Sequence, residues 1–334
     1  MELYTTASPS VRFHPRAYLD RITEIARWHE QAGIAGMLIY TDNSLIDPWT
    51  VAQAALERTD RFVPLIATQP LYMHPLTAAR KISSLAFLYG RRVALNLVAG
   101  GFVRDLAQLG DHTEHDLRYD RLLEYTSIML ALLRGETTTF SGTYYQVEGL
   151  ALSPGLPADL IPELYLSGAS DACMAAAATL GATRLSYSKP LSQIAPGQIA
   201  AGRVGLRLGI IARPDRATAW EVARARFPAD RRGQLAHRMA RGATDSIWHR
   251  DISAVADTLD EDGRDPYWLF PLKNYKTFCP YLVGSYEDVA QYVQGYADLG
   301  YRTLILDEAE SEADLTHIVH ALRLGTMLEQ EPQQ

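Results

Sequence analysis

The run RRVALNLVAGG, Arg91 to Gly101, begins as a short apolar strand and stops in two glycines. Val93–Val98 is brief, rich in branched residues and bounded by turn signals, the pattern of a strand covered on both faces in a parallel sheet. Glycine leaves the backbone bare, so Gly100-Gly101 at the C-terminal end of such a strand makes room for something to lie against it.

Outward from this strand the same rhythm repeats. Strands are expected at Leu3–Thr6, Gly36–Tyr40, Phe62–Thr68, Val93–Val98, Leu164–Ser167, Arg184–Tyr187, Val204–Ile211 and Thr303–Leu306. Helical periodicity falls between them, at Arg16–Gln31, Pro48–Glu57, Pro75–Leu88, His115–Leu133, Asp171–Leu180, Ala217–Arg226 and Tyr286–Leu299, and Glu312–Leu324 follows the last strand. Eight βα units with right-handed crossovers predict an α/β fold, a (β/α)8 TIM barrel. A doubly wound open sheet is the other arrangement of such units, but no Gly-x-Gly-x-x-Gly fingerprint supports it.

The chain has 334 residues, enough for roughly two domains of about 150 residues, yet barrels routinely use such a length as one. One domain is therefore expected over 1–326, with insertions at about 134–163 and 227–284 and a tail at 327–334. The first insertion alternates like a hairpin around Ser141-Gly142. The second holds a helical stretch and then DEDGRDPYWLFPLKNYKTFCP, an aromatic, proline-punctuated segment that reads as a lid.

Net charge is −7 and the 32 Lys and Arg are scattered, so no nucleic-acid footprint exists. Cys173 and Cys279 have no metal-ligand spacing, and no secretory leader or apolar run of about 20 residues is present. A cytoplasmic protein with no membrane or metal partner is expected.

Barrel enzymes carry their chemistry at the C-terminal ends of the strands. That rule selects Thr41 and Asp42, Thr68 and Gln69, Asn96 to Gly101, Ser167 to Asp171, and Ser186 to Lys189. In LYLSGASDACMAAAATLG, small residues precede a helix, so backbone amides and Ser170 could cradle a phosphate at the positive end of the helix dipole; a plain N-cap explains the same residues. His115 and Tyr119 share one face of a helix start, where a surface histidine is the simpler account. Arg118 and Asp120 read as solvated charges or as ion-pair partners of little energetic weight. Tyr40, Leu45, Trp49, Tyr72, Met73 and His74 would form an apolar wall with polar points. Arg207 lies mid-strand and points either into the mouth, as a substrate-side cation, or toward an acidic partner such as Asp307. Arg207, His74 and Tyr40 are the candidate catalytic side chains. With no Ser-His-Asp order, metal quartet or P-loop, the chemistry is expected from a cofactor.

The motifs GMLIYTDNSLIDPW, ATQPLYMHPLTAARK, NLVAGG, EHDLRYDRLLEY and LYLSGASDA, in this order, resemble the bacterial luciferase-like flavin monooxygenases, above all their alkanesulfonate monooxygenase branch. The likeness returns at VGLRLGIIARPDRATAWEVA and GSYEDVAQYVQGYADLGYRTLIL. It implies a barrel that takes reduced FMN from a separate NAD(P)H:FMN reductase and uses it with O2. By this resemblance Asp42 and Thr68 lie beside the flavin ring, and Asn96, Ala99 and Gly100 under its edge. His115 and Tyr119 are then near the ribityl chain and phosphate, and Ala169 and Ser170 on the phosphate. A homodimer or homotetramer is implied as well.

The departures concern substrate. Leu45 stands where the sulfonate enzymes have a cysteine, Ala99 where they have a threonine, and Arg207-Leu208-Gly209 where they have Arg-x-His. The lid-like segment keeps Lys273 and Lys276 but is far more aromatic. A larger or more apolar organic substrate than an alkanesulfonate is expected, an intermediate of specialised metabolism, free or held on a carrier protein. A deazaflavin (F420)-dependent oxidoreductase and a non-catalytic flavin-binding protein are the alternatives.

Overall fold

The computed structural model describes residues 1–101, 103–194, 202–241, 252, 255 and 265–325. The expected tail at 327–334 and parts of the long insertion lie outside the described residues.

Eight parallel strands form the barrel: β1 (Glu2–Thr6), β2 (Gly36–Ile39), β3 (Leu65–Thr68), β4 (Ala94–Leu97), β5 (Glu163–Ser167), β6 (Thr183–Tyr187), β7 (Val204–Arg213) and β8 (Thr303–Leu306). Each is hydrogen-bonded to the next, and β8 returns to β1 to close the sheet. The helices that follow the strands are α1 (Pro15–Ala32), α2 (Pro48–Leu56), α3 (Pro75–Tyr89), α4 (Val103–Gln108), α5 (His115–Leu133), α6 (Asp171–Leu180), α7 (Arg216–Arg226), α8 (Arg231–Arg241), α9 (Phe270–Lys273), α10 (Tyr286–Asp298) and α11 (Glu312–Leu324).

The strand composition follows from burial. Every residue of β2, β3, β4 and β8 is buried, as a strand with helices on one face and a filled barrel on the other must be. Helix ends are fixed by local chemistry. Asp47 accepts from Thr50 N ahead of Pro48 in α2, and Ser285 and Asp288 form a capping box on α10. Gly90 and Gly181 end α3 and α6 in the left-handed conformation, at φ 64° and 62°, which a side chain resists.

The chain divides into two compact units, residues 7–30 with 35–184, and residues 1–6 and 31–34 with 185 onward. The core of the first includes Met37, Ile66, Leu95, Leu122, Tyr125, Met129 and Leu166, with α5 packed between α3 and α6. The core of the second gathers Ile211, Trp220, Phe227, Trp268, Cys279, Tyr281 and Val283. Each fully buried aliphatic side chain contributes roughly 1.5–3 kcal/mol of transfer free energy.

The expected strands shorten or lengthen at their ends. Phe62 to Pro64 lie outside β3, because Pro64 has no N–H to give a ladder, and β7 runs on to Arg213. The hairpin of the first insertion pairs Thr138–Ser141 with Gln146–Leu150, antiparallel. Its turn is held by the Glu124 carboxylate of α5, which accepts from the backbone N–H of Thr143, Tyr144 and Tyr145 at 2.8, 2.8 and 3.0 Å.

The lid-like segment is a finding against expectation. Tyr281–Ser285 is a strand, parallel to the second half of β7, and Tyr267–Trp268 pairs with it antiparallel. Trp268 stacks on Phe270 at 5.6 Å and meets Trp220 edge-on at 5.4 Å. The aromatic residues expected of a lid are therefore largely core; Tyr267, Trp268 and Tyr281 are buried, whereas Tyr275 and Lys276 are exposed.

Candidate active site

In the first unit the polar groups after β2 to β5 form one cluster. Ser167 Oγ, on the last residue of β5, donates to Asn96 Oδ1 on β4 at 2.9 Å. Asn96 stands opposite Tyr165 in the register, two residues before Ser167, and the bond turns the Asn96 amide so that its N–H2 points away from Ser167 as a donor. Thr68 is buried at the end of β3 with its hydroxyl on the Ile66 carbonyl at 3.3 Å.

Gly100 has φ 115°, and a Cβ there would come within 2.8 Å of Leu106 on α4. The packing of this chain itself demands that glycine. Gly101 is different: it is exposed, and a Cβ there would have nothing within 4 Å. Arg118, read from the sequence as a solvated charge, is 6% exposed. Its guanidinium donates to the carbonyls of Thr113 at 2.8 Å and Gly100 at 3.2 Å. A charged residue three positions into a helix gave no warning that it would be drawn inward by backbone acceptors. Asp120 is exposed, as expected.

The turn after β5 brings three elements together. Ser170 caps α6, its Oγ accepting from Cys173 N at 3.2 Å, and it hydrogen-bonds the Tyr119 phenol of α5. A Cβ at Gly168 would lie 2.8 Å from Cys173 Sγ and 2.9 Å from Tyr119 Oη, so only glycine admits this approach. Burial pushes the Tyr119 phenol far above its usual pKa, with the Cys173 thiol adding and Ser170 opposing. Burial likewise raises the Cys173 thiol to about 11. Both are neutral near pH 7. Ser170 is thus the N-cap of a ten-residue helix, and its hydroxyl meets the Tyr119 phenol. Ala169 is half-buried beside it. His115 is half-buried, with Nδ1 2.7 Å from Asp116 Oδ1 and its ring edge-on to Tyr119 at 5.5 Å.

The loops after β2 and β3 are knit together. Asp42 Oδ1 accepts from the N–H and hydroxyl of Ser44, both at 2.7 Å. The Tyr72 hydroxyl donates to Asn43 Oδ1 at 2.8 Å, and Asn43 Nδ2 donates to Asp105 O and Gln108 Oε1 of α4 at 3.1 and 3.0 Å. Burial and the charges of Asp105 and Asp42 raise the Tyr72 pKa. Tyr40 and Leu45 are half-buried and Ala99 is buried. His74 is the N-cap of α3, its Nδ1 accepting from Leu76 N at 3.2 Å, a structural duty beside the catalytic one expected.

In the second unit a separate cluster stands at the ends of β6, β7 and β8. The Arg207 guanidinium lies over the Tyr187 ring, 5.2 Å from its centroid. Thr277 Oγ1 and Tyr281 Oη donate to Asp307 Oδ2 at 2.6 and 2.8 Å. Burial pushes the thiol of Cys279 far up, and the Asp307 carboxylate adds to that while Arg207 opposes it. Lys276 forms an ion pair with Asp230 at 2.6 Å, and Asp230 in turn accepts from Arg232 N and Gly233 N at the start of α8. Lys273 is half-buried in α9. Sequence reading missed Thr277, Tyr281 and Cys279, whose only signal is that they sit in an insertion dense in hydroxyls and aromatics. Among the described residues no group of three His, Cys, Asp or Glu could hold a metal, and no helix is long and apolar enough to cross a membrane.

Comparison with known proteins gives this geometry a family. A relative from Niallia circulans, 4-(gamma-L-glutamylamino)butanoyl-[BtrI acyl-carrier protein] monooxygenase BtrO, is 32% identical over 312 residues, covering 90% of each chain. Two solved structures share the fold at low identity. One is the oxygenating constituent of 3,6-diketocamphane monooxygenase from the CAM plasmid of Pseudomonas putida, in complex with FMN, with a TM-score of 0.67, 18% identity and 97% and 96% of the two chains covered. The other is an F420-dependent secondary alcohol dehydrogenase, with a TM-score of 0.64, 16% identity and 97% and 98% covered. The barrel alone thus does not choose between the two flavin types. The profile of the luciferase-like monooxygenases matches residues 2–303, and the chain belongs to that family.

Proposed function

We propose that this chain is the oxygenating component of a two-component monooxygenase, which takes reduced FMN from a separate NAD(P)H:FMN reductase and oxygenates an organic acyl group held on a carrier protein. The observation that carries the reading is the 32% identity, over nine-tenths of both chains, to a monooxygenase named for a carrier-bound substrate.

The residues present fit FMN. Its phosphate would lie at Ala169 and Ser170, where the first amides of α6 offer donors at the positive end of the helix dipole. The Asn96 amide, fixed by Ser167, would donate to the ring edge. The ring would take the open space beside Gly101. His115 and Tyr119 would border the ribityl chain, and Asp42 and Thr68 the ring. Bound reduced flavin supplies two electrons, so that one oxygen atom of O2 enters the substrate and the other leaves as water. Arg207 would hold an anionic group of the substrate, and Tyr40, Leu45 and Tyr72 would exclude water from the first-unit cluster.

A deazaflavin is the second reading, because its barrel neighbours include an F420-dependent enzyme. It is the poorer fit: that cofactor is more acidic than FMN, and Lys276, one of the few cations available for it, is committed to Asp230. Thermal melting with each cofactor separates the two. Reduced or oxidised FMN at one hundred times its dissociation constant should stabilise the fold by about 2.7 kcal/mol. Stabilisation by F420 and none by FMN would reverse the assignment.

A further inference from the structure

We infer that Ser167 is a positioning residue for the flavin: it holds the Asn96 amide so that two N–H groups and no oxygen face the barrel interior, and this biases the site toward reduced over oxidised FMN. The inference rests on the reading that FMN binds at the first-unit cluster.

Strand alternation places both residues. Leu95 and Leu97 of β4 and Leu166 of β5 belong to the core shared with α3 and α5. Asn96 and Ser167, on the alternate positions, therefore face the barrel interior. Asn96 is 5% exposed. Its register partners are Tyr165 on β5 and Ala67 on β3, and Ala94 and Val98 flank it on its own face of β4. Ala67, Ala94 and Val98 are apolar and offer the amide no side-chain acceptor. The Tyr165 hydroxyl is turned down its own strand, to Glu163 Oε2 at 3.2 Å.

Among the described residues, the 2.9 Å bond from Ser167 Oγ to Asn96 Oδ1 is the one side-chain hydrogen bond that either residue makes. It decides which way round the amide lies. With the oxygen toward Ser167, a single bond satisfies the serine proton and the amide oxygen together; turned over, the amide would leave both without a partner. What remains is the Asn96 N–H2, two donors with no acceptor. They are not sealed in, as the hydroxyls of Tyr125 and Thr126 are, but reach accessible space. A buried donor without an acceptor is costly, so this pair is set for a ligand that brings one. The ring of oxidised FMN is neutral near pH 7, whereas reduced FMN carries negative charge over its pyrimidine half. A hydrogen bond to a charged acceptor is roughly twice as strong as one to a neutral acceptor, so a donor held in place favours the reduced form. An amide free to turn would present its oxygen part of the time and lose that preference.

The test uses the full chain and two probes, oxidised FMN and FMN reduced in the absence of oxygen. The wild type should bind the reduced probe at least tenfold more tightly, which raises the potential of bound FMN by about 30 mV for each factor of ten. Ser167→Ala should lower the ratio severalfold. In an Asn96→Leu background, where there is no amide to orient, Ser167→Ala should leave the ratio unchanged, and this cycle separates orientation from lost packing. Equal binding of the two probes by the wild type, binding of neither, an undiminished ratio in Ser167→Ala, or the same loss in the Asn96→Leu background overturns the inference. Oxygen incorporation into a carrier-bound acyl substrate, followed with a reductase present, tests the oxygenase reading separately. A redox preference that depends on both residues, without oxygenation, would sink that reading and leave the inference standing, whereas oxygenation with equal affinity for the two probes would do the reverse.

Discussion

His29 sits on α1 with no exposed surface, its Nδ1 donating to the Ile25 carbonyl at 2.5 Å and its ring edge-on to Phe62 at 6.2 Å. Burial lowers its pKa to about 4, the bond to Ile25 only partly opposing this. The unfolded chain binds the proton near pH 6.5 while the folded chain refuses it until about 4. Stability from this site is therefore complete above about pH 6.5 and falls as pH drops toward 4, by up to about 3 kcal/mol. Urea midpoints at pH 7 and pH 4.5 should diverge in the wild type, and His29→Gln should narrow that gap. An unchanged gap would remove His29 as its source. Ser170 allows a sharper separation of roles. Ser170→Asp keeps a good N-cap acceptor but sets a negative charge on the proposed phosphate position. Melting temperature should hold while FMN affinity falls more than tenfold; retained affinity in a flavin titration would leave Ser170 a cap and nothing more. Ser170 was legible because a small polar residue before an alanine-rich helix has few other uses. Arg118 was not, since the acceptors that bury it, Thr113 and Gly100 carbonyls, exist only once the loop has folded.

Among the elements, the hairpin depends on one side chain of a neighbouring helix. Glu124→Ala would return three turn amides to water, costing on the order of 1 kcal/mol because the turn is partly exposed. Hydrogen exchange at Thr143, Tyr144 and Tyr145 should accelerate while amides of α5 keep their protection; unchanged exchange would mean that the hairpin ladder alone orders the turn. The barrel strands could be read because each is an apolar run between helical periods. Tyr281–Ser285 could not, because its strand character comes from a partner, the upper half of β7, and not from any alternation of its own. The tryptophan and tyrosine content of the insertion was visible, but composition does not tell a lid from a second core.

For the molecule as a whole, the two-component reading predicts dependence on a second protein. The chain mixed with FMN, O2 and NADH should consume no NADH until an FMN reductase is added, after which a carrier-bound acyl substrate should gain one oxygen. NADH oxidation by the chain alone, followed by absorbance, would contradict this. The order of the eight βα units was available from the sequence. The assignment of Arg118 to a backbone carbonyl and of Tyr281 to Asp307 needed three dimensions, because both join residues whose separation carries no period.

β7 is ten residues long, and its two halves have different parallel neighbours, β8 along Gly205 to Leu208 and the inserted strand along Gly209 to Arg213. The insertion is consequently not an ornament that could be pruned to obtain a minimal barrel. Excising it would bare an edge reading Gly-Ile-Ile-Ala, uncharged, β-prone and with its backbone donors unmet, the kind of surface on which chains pair with one another. The same strand whose Tyr281 holds the Asp307 carboxylate also covers the upper half of β7.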